Sequence, residues 1–365
     1  MSKAAELAAL IANVNRGSSL GHKNIIINGK FDVAQRGTSI AGIENYTLDR
    51  WKIDRGNVDN WAATVSQDSS VPSGYGFANS LKVQTTTAES ALADNEYGVI
   101  EHIIEAQNLQ GLQYETGSSK PITLSFWVKS NVTGTYCNSL YHYDGNDMVN
   151  STYTINSANT WEKKTVTYAG SELADSTIDN NNEAGIKINW ILFAGANYKG
   201  TSSATWATYA TTAYAHGHDV NIGASTDNYW QITGVQLEIG EKATEFEHEP
   251  YSVTLEKAQR YYTKFQATSA YSYYGSGVSS ATTTARIFKS FPVEMNHVPV
   301  LEQSANNTWN IYPGGAFTAD ATINNPSVWG SAITCTTGAS QNANGASHCT
   351  ANNTTTAYFA FESEL

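Results

Sequence analysis

The sequence predicts an all-β protein: a β-sandwich, then a smaller C-terminal β-sandwich, with one short helix ahead of both. Three observations lead there. Only 15% of the 365 residues are charged, while Gly, Asn, Thr, Ser and Tyr abound and Met and Pro are scarce. That bias favours short strands joined by many turns. Repeated stretches alternate apolar and polar residues with the period of two expected of a half-buried strand. The third is residues 229–252, where Trp230, Ile232, Val235, Leu237 and Ile239 alternate with polar neighbours and switch parity at Gly234. This reads as a bulged strand that closes one domain. Gly240 then turns the chain, and Pro250 stops the element before Ser252, which is expected to cap a short helix. A chain of this length exceeds what one core normally holds, so we expect boundaries at 1–22, 23–251 and 252–365.

Residues 2–15 place Leu7, Leu10, Ile11 and Val14 at helical spacing, giving an apolar stripe. Gly17 and Gly21 end this helix, with Arg16 near its negative end. It either packs on its own sandwich or docks and self-associates. Because a short lone helix is marginal in water, we favour docking or self-association through that stripe, three copies burying it together.

Residues 24–36 are expected to pair with the closing strand at 229–239, as the first and last strands of a sandwich often do. In Asp49-Arg50-Trp51, the reading is structural: Arg50 needs a carboxylate partner if buried, and Trp51 fills the core. Further strands are predicted at 61–66, 80–85, 98–104, 121–128, 135–142, 161–168 and 186–193, about ten in all, as two sheets of a sandwich require. Along 121–128, Ile122, Leu124, Phe126 and Val128 share one face, so Trp127 is assigned to the opposite, exposed or concave one.

Residues 197–219 read as a long excursion, too polar and too aromatic for a core. In it Trp206, Tyr209 and Tyr214 form either a stacking platform for sugar rings or padding against a neighbouring subunit. After 252 a linking helix at 253–260 is followed by strands beginning at Tyr261, within 285–300 and at 358–365. Residues 306–318 and 324–356, rich in Asn, Gly, Ser and Thr, read as surface loops. They carry Trp309, Tyr312 and Trp329, which either bind a ligand or fill the small second core. Tyr273 and Tyr274 join them as candidate ligand-binding residues.

Several of these segments resemble a known family in the same order. They are Asn24 to Phe31 (NIIINGKF), Gln35-Arg36-Gly37-Thr38, Tyr46 with Asp49-Arg50-Trp51, Phe126 to Ser130 (FWVKS), Thr160-Trp161-Glu162, and Gly234 to Gly240 with Pro250-Tyr251-Ser252. Together they are similar to a jelly-roll (carbohydrate-binding-module-like) domain of bacteriophage tail fibre and receptor-binding proteins. The likeness runs from about 23 to 252, and a looser one to fibre tip domains continues to Leu365. The resemblance implies a non-enzymatic virion fibre, homotrimeric, held to other phage tail or capsid proteins by its N-terminus and meeting a host-surface glycan or protein with its C-terminal tip. A capsid fibre or tail adaptor without a receptor is the alternative reading, and a glycan depolymerase the third.

The pair His216 and His218 is similar to the H-x-H pairs with which some fibres ligate an axial metal. Those pairs lie in slender repeated shafts, a feature this chain lacks, so no metal and no cofactor are expected. Cys137, Cys335 and Cys349 form no C-x-x-C pair and read as free thiols, with a bridge between Cys335 and Cys349 left open. The formal net charge of −12 argues against a phosphate backbone as partner. No segment reaches the length of a membrane span, and the first twenty residues carry no secretory h-region. We therefore expect a virion part assembled in the host cytoplasm. No nucleophile elbow, P-loop or H-E-x-x-H occurs, and neighbours such as Asp144 and Asp147, or Glu245, Glu247 and Glu249, read as solvated acids.

Overall fold

Alternating side chains decide the architecture, because each strand must bury one parity against a second sheet. The computed structural model describes residues 23–42, 45–58, 60–200 and 204–365, together with Lys3. Leu7, Leu10, Ile11 and Val14 lie outside the described residues. The chain forms two compact units, the first ending at Glu249 and the second spanning Pro250–Leu365.

The first unit is a jelly-roll sandwich. Its strands are β1 (Ser39–Ala41), β2 (Asn45–Tyr46), β3 (Trp51–Gly56), β4 (Ala62–Asp68), β5 (Ser80–Thr87), β6 (Tyr97–Glu105), β7 (Ile122–Ser130), β8 (Gly134–His142), β9 (Asp147–Ile155), β10 (Glu162–Tyr168), β11 (Ala184–Ala194), β12 (Ala207–Thr208) and β13 (Tyr229–Ile239). One sheet runs β1-β4-β5-β13-β7-β10 and the other β12-β9-β8-β11-β6-β3-β2. Trp51, Trp61, Trp190 and Trp230 are fully buried between them, with Phe126, Val128 and Leu237. β13 is the bulged strand expected, its register against β7 slipping between Thr233 and Gln236 around Gly234, whose φ is 61°.

The opening stretch corrects one expectation. Residues 24–36 lie beside β13, with the Ile25 amide donating to Leu237 O and the Val235 amide to Gly29 O, yet they form no strand. Asn28 and Phe31 adopt left-handed backbone, and asparagine side chains replace the ladder: Asn24 Nδ2 donates to Val235 O and Asn28 Nδ2 to Val33 O. Trp51 fills the core, as its position suggested. Arg50 is buried with Nη2 donating to Ile103 O, and Asp49 accepts from the amide and side chain of Gln35.

The excursion at 197–219 also departs from expectation. Rather than projecting, it covers the outer side of the second sheet, burying Tyr198, Ala213, Tyr214 and Ala215 against Val99, Cys137, Met148 and Ile191. That covering lets β9 hold polar Asn150, Ser151 and Thr152 in a strand with no clear apolar alternation in its sequence. Its outward parity faces hydrogen-bonding loop backbone, as where Asn150 Nδ2 donates to Ala213 O at 2.6 Å.

The second unit begins with α1 (Tyr251–Gln259). Pro250 stands at its N-cap without a side-chain cap bond, so Ser252 lies inside the helix and does not cap it. The strands are β14 (Tyr262–Gln266), β15 (Tyr273–Ala281), β16 (Thr284–Ser290), β17 (Val300–Gln303), β18 (Trp309–Tyr312), β19 (Gly315–Ala316), β20 (Thr322–Ser327), β21 (Gly330–Thr336), β22 (Ala346–Ala351) and β23 (Tyr358–Glu362). They make a three-stranded sheet, β14-β23-β17, and a seven-stranded sheet, β19-β18-β22-β15-β16-β21-β20. Five of these strands, β18 to β22, occupy the stretches read as loops. Asn, Thr and Ser there sit at outward positions while Ile311, Ile333, Cys335 and Cys349 point into the core with Trp309, Phe359 and Phe361. Few apolar residues per strand suffice when the sheet has only one covered face.

Candidate ligand-binding face

Strand β7 buries Ile122, Leu124, Phe126 and Val128, so Ser125, Trp127 and Lys129 point away from the core. The register extends this parity across the sheet. Trp127 lies between Thr233 of β13 and Lys163 of β10, while Lys129 pairs with Gln231, which in turn pairs with Lys82 of β5. At the end of β13, Tyr229 faces the same way. Trp161, just before β10, shares the parity of Lys163 and not that of the buried Val166 and Tyr168.

These side chains form a connected platform. The Tyr75 ring lies 4.4 Å from that of Trp127. Lys129 Nζ stands 5.1 Å over Trp161 and 5.8 Å over Tyr229, and Lys82 Nζ stands 5.1 Å over Tyr229 from another strand. Cation–π contacts of this kind hold both partners in place while leaving part of each ring in water. Further polar bonds fix the edges: Lys129 Nζ donates to Ser70 Oγ at 2.7 Å, Tyr229 OH donates to Asn159 Oδ1 at 2.6 Å, and Thr233 Oγ1 donates to Asn79 O at 2.7 Å. Burial, with Lys82 as a like charge, lowers the Lys129 pKa from its ordinary value, and Asp68 opposes that shift.

Tyr75 reaches Trp127 because of two glycines. Gly74 and Gly76 have φ of 85° and 75°, so the loop from β4 to β5 folds back with the tyrosine at its apex. A side chain at either glycine would strain the turn. Tyr75 is half exposed, and Trp127, Trp161 and Tyr229 are each partly exposed. Chemically the face offers aromatic surface for the C–H side of a pyranose ring, with ammonium, amide and hydroxyl groups around it for sugar hydroxyls.

The sequence-predicted aromatics are divided by the structure. Trp206 is buried, with Nε1 donating to Ala169 O at 2.8 Å and its ring against Tyr114 and His142. Tyr214, within the excursion, is buried against the outer side of the second sheet, and Tyr274 and Trp309 pack with Phe359 in the second core. Those four keep no open ring face for a ligand, because apolar neighbours in this chain already cover them. Tyr209 remains exposed, edge-on to Tyr141, which meets Tyr143 in the same way. Tyr273, Tyr312 and Trp329 are well exposed in the second unit. Of the platform residues only Trp127 was marked as outward facing; parity with Val166 would have marked Trp161, and parity with Trp230 would have marked Tyr229. Nothing local announces Tyr75, whose place depends on a loop closing over β7.

His216 and His218 go separate ways. His218 is buried, with Nδ1 accepting from the Cys137 amide and Nε2 against Val220 O, so both ring nitrogens serve the backbone. His216 lines a small cavity with Asn150, Thr152 and Tyr168. Among the described residues no cluster of His, Cys, Asp and Glu has the geometry of a metal site, and no helix is long and apolar enough to cross a membrane.

No family model and no curated protein matches the chain. Among solved structures it is similar to the enzymatically active domain of bacteriophage CBA120 tailspike protein 4, at 16% identity and a TM-score of 0.32, with 59% of this chain and 21% of that one covered. The family 11 carbohydrate-binding module of Clostridium thermocellum, in complex with a mixed-linked tetrasaccharide, shows 13% identity, a TM-score of 0.28 and coverage of 57% and 98%. The CBM22-1 xylan-binding domain from Paenibacillus barcinonensis gives 12%, 0.26, and 61% and 100%.

Proposed function

We propose that this protein is a non-enzymatic virion fibre protein of a bacteriophage, acting as a homotrimer that attaches the particle to host-surface glycans. The observation that carries the glycan part is the row of Tyr75, Trp127, Trp161 and Tyr229 across one open sheet face, braced by Lys82 and Lys129. The ordered motifs from Asn24 to Ser252 support the virion part. They include residues that hold the fold, such as Asn28, Asp49 and Trp51, as well as Trp127 and Trp161 on the platform itself.

Adhesion without cleavage fits the character of this face. Glycoside hydrolysis by the usual route needs two carboxylates facing across the sugar. The strand positions around Trp127 carry Lys82, Lys129 and Lys163 instead, with Asp68 the carboxylate that acts on Lys129. One such platform binds weakly, and three presented together multiply the effect through effective concentration.

Retention of the full chain on immobilised neutral β-glucans and xylans tests the reading, alongside its mass in solution and the release of reducing ends. Retention that Trp127→Ala abolishes, a mass of three chains and no new reducing ends are expected. Retention on no polysaccharide would sink the adhesive reading and turn the platform into an assembly contact; sugar release would make the protein an enzyme.

A further inference from the structure

The seven-stranded sheet of the second unit buries one face, and its other face is unusual for an acidic protein. Its strands carry two formally charged side chains, Lys289 and Arg286, both cationic, in a chain whose net charge is −12. Lys289 points inward, donating to Tyr274 O at 3.0 Å and standing 4.2 Å over the Phe265 ring. Arg286 points outward, is exposed, and has no ion pair with any described residue.

Around it the register lays out rings and hydroxyls. One row joins Tyr312, His348 and Ser276; the next joins Asn310, Thr350 and Tyr273; a third joins Ala346, Val278, Arg286, Thr334 and Thr322. The Tyr312 and His348 rings stack at 5.2 Å with planes 15° apart, and Tyr273 OH lies 2.6 Å from Ser276 Oγ. Phe288 stands exposed two residues along from Arg286. Tyr312 and Arg286 are three strand spacings apart, ~14 Å along the sheet.

We infer that this face binds an acidic polysaccharide, one whose sugar rings carry carboxylates, with Arg286 taking the carboxylate and Tyr312, His348 and Phe288 taking ring faces. A guanidinium offers two parallel N–H groups to a carboxylate, which fixes orientation as well as charge. The many hydroxyl and amide groups suit a polyhydroxylated ligand. The absence of carboxylates from these strands removes the repulsion that the rest of this chain would offer to a polyanion. This site lies on a different unit from the Trp127 platform and does not depend on it.

The test is calorimetric binding of the full chain to oligomers of galacturonic, glucuronic and sialic acids, beside neutral oligomers of equal length and poly-glutamate. An acidic oligomer is expected to bind, with Arg286→Gln weakening it about tenfold and Arg286→Lys less, because the bidentate geometry is lost while the charge remains. Tyr312→Ala should weaken it comparably, and Trp127→Ala should leave it unchanged. Circular dichroism confirms that each variant folds. The inference is overturned if no acidic oligomer binds, if Arg286→Gln has no effect, or if Trp127→Ala alone removes binding. Equal binding of poly-glutamate would also overturn it, in favour of an acidic protein partner. Loss of neutral-glycan retention with acidic binding intact would fail the first-unit platform and leave this site standing.

Discussion

The Tyr75 ring, carried by the loop between β4 and β5, lies 4.4 Å from Trp127 of β7, planes 50° apart, so a loop residue completes a surface that strands begin. Removing the loop ring should therefore weaken a ligand without disturbing the sheet. Tyr75→Ala is expected to reduce neutral-glycan affinity about three- to tenfold, in line with aromatic contacts worth ~0.5–1.5 kcal/mol beyond area, and Tyr75→Phe to reduce it less. Thermal unfolding of both variants should match the parent. Calorimetric titration measures the first effect, and unchanged affinity in Tyr75→Ala would remove Tyr75 from the platform.

Asn28 holds the irregular opening stretch. Its Nδ2 donates to Val33 O and Asp49 O, its Oδ1 accepts from the Val33 amide, and its φ is 60°. Asn28→Ala leaves those buried backbone groups unpaired and keeps a Cβ in a left-handed conformation that no side-chain bond then compensates. We expect a loss of about 2–4 kcal/mol. Asn28→Gly relieves the backbone but not the bonds, so it should fall between parent and alanine in urea unfolding. A ranking with glycine below alanine would contradict this account.

How much of this was legible beforehand follows from which residues carry a periodic signal. Strands β5, β7, β10 and β13 announce themselves because one parity is apolar and the other polar, and the Gly234 bulge shows as a parity switch. Strands β18 to β22 do not, since Asn, Thr and Ser make them look like turns and only the register reveals Ile311, Cys335 and Cys349 as inward positions. The excursion misled for the opposite reason. Tyr214 has polar neighbours in sequence, yet the outer face of β6, β8 and β11 is itself apolar and takes it in, while Trp206 joins the sandwich core beside Tyr114. The platform was half legible: Trp127 by parity, Tyr75 not at all.

Acid should loosen the excursion through His218. Burial, helped by the nearby Lys199 ammonium, lowers the pKa of this ring to about 3. The folded ring stays neutral while the unfolded one takes a proton near pH 6.5. Stability from this group is thus fully present above pH 6.5 and is lost as pH falls toward 3, by at most about 1.4 kcal/mol per pH unit. His102 and His142, also buried and lowered, add to the same slope. Denaturant unfolding between pH 7 and 4 should show it, and a His218→Asn variant should show a shallower slope. An unchanged slope would mean that the ring is not held neutral.

Cys335 and Cys349 should remain reduced even under oxidising conditions. They lie on β21 and β22 with β15 and β16 between them, ~14 Å apart along the sheet, whereas a disulfide needs Cα atoms within about 7 Å. Both thiols, and that of Cys137, are buried, and burial pushes their pKa values above the ordinary range, up to about 12 for Cys137. Thiolate is the reactive form, so a native chain should react with an aromatic disulfide reagent far more slowly than a free thiol does. Three equivalents should appear at once on unfolding in guanidinium. One equivalent in the unfolded, unreduced chain would instead reveal a bridge, and the register that separates β21 from β22 would then have to be wrong.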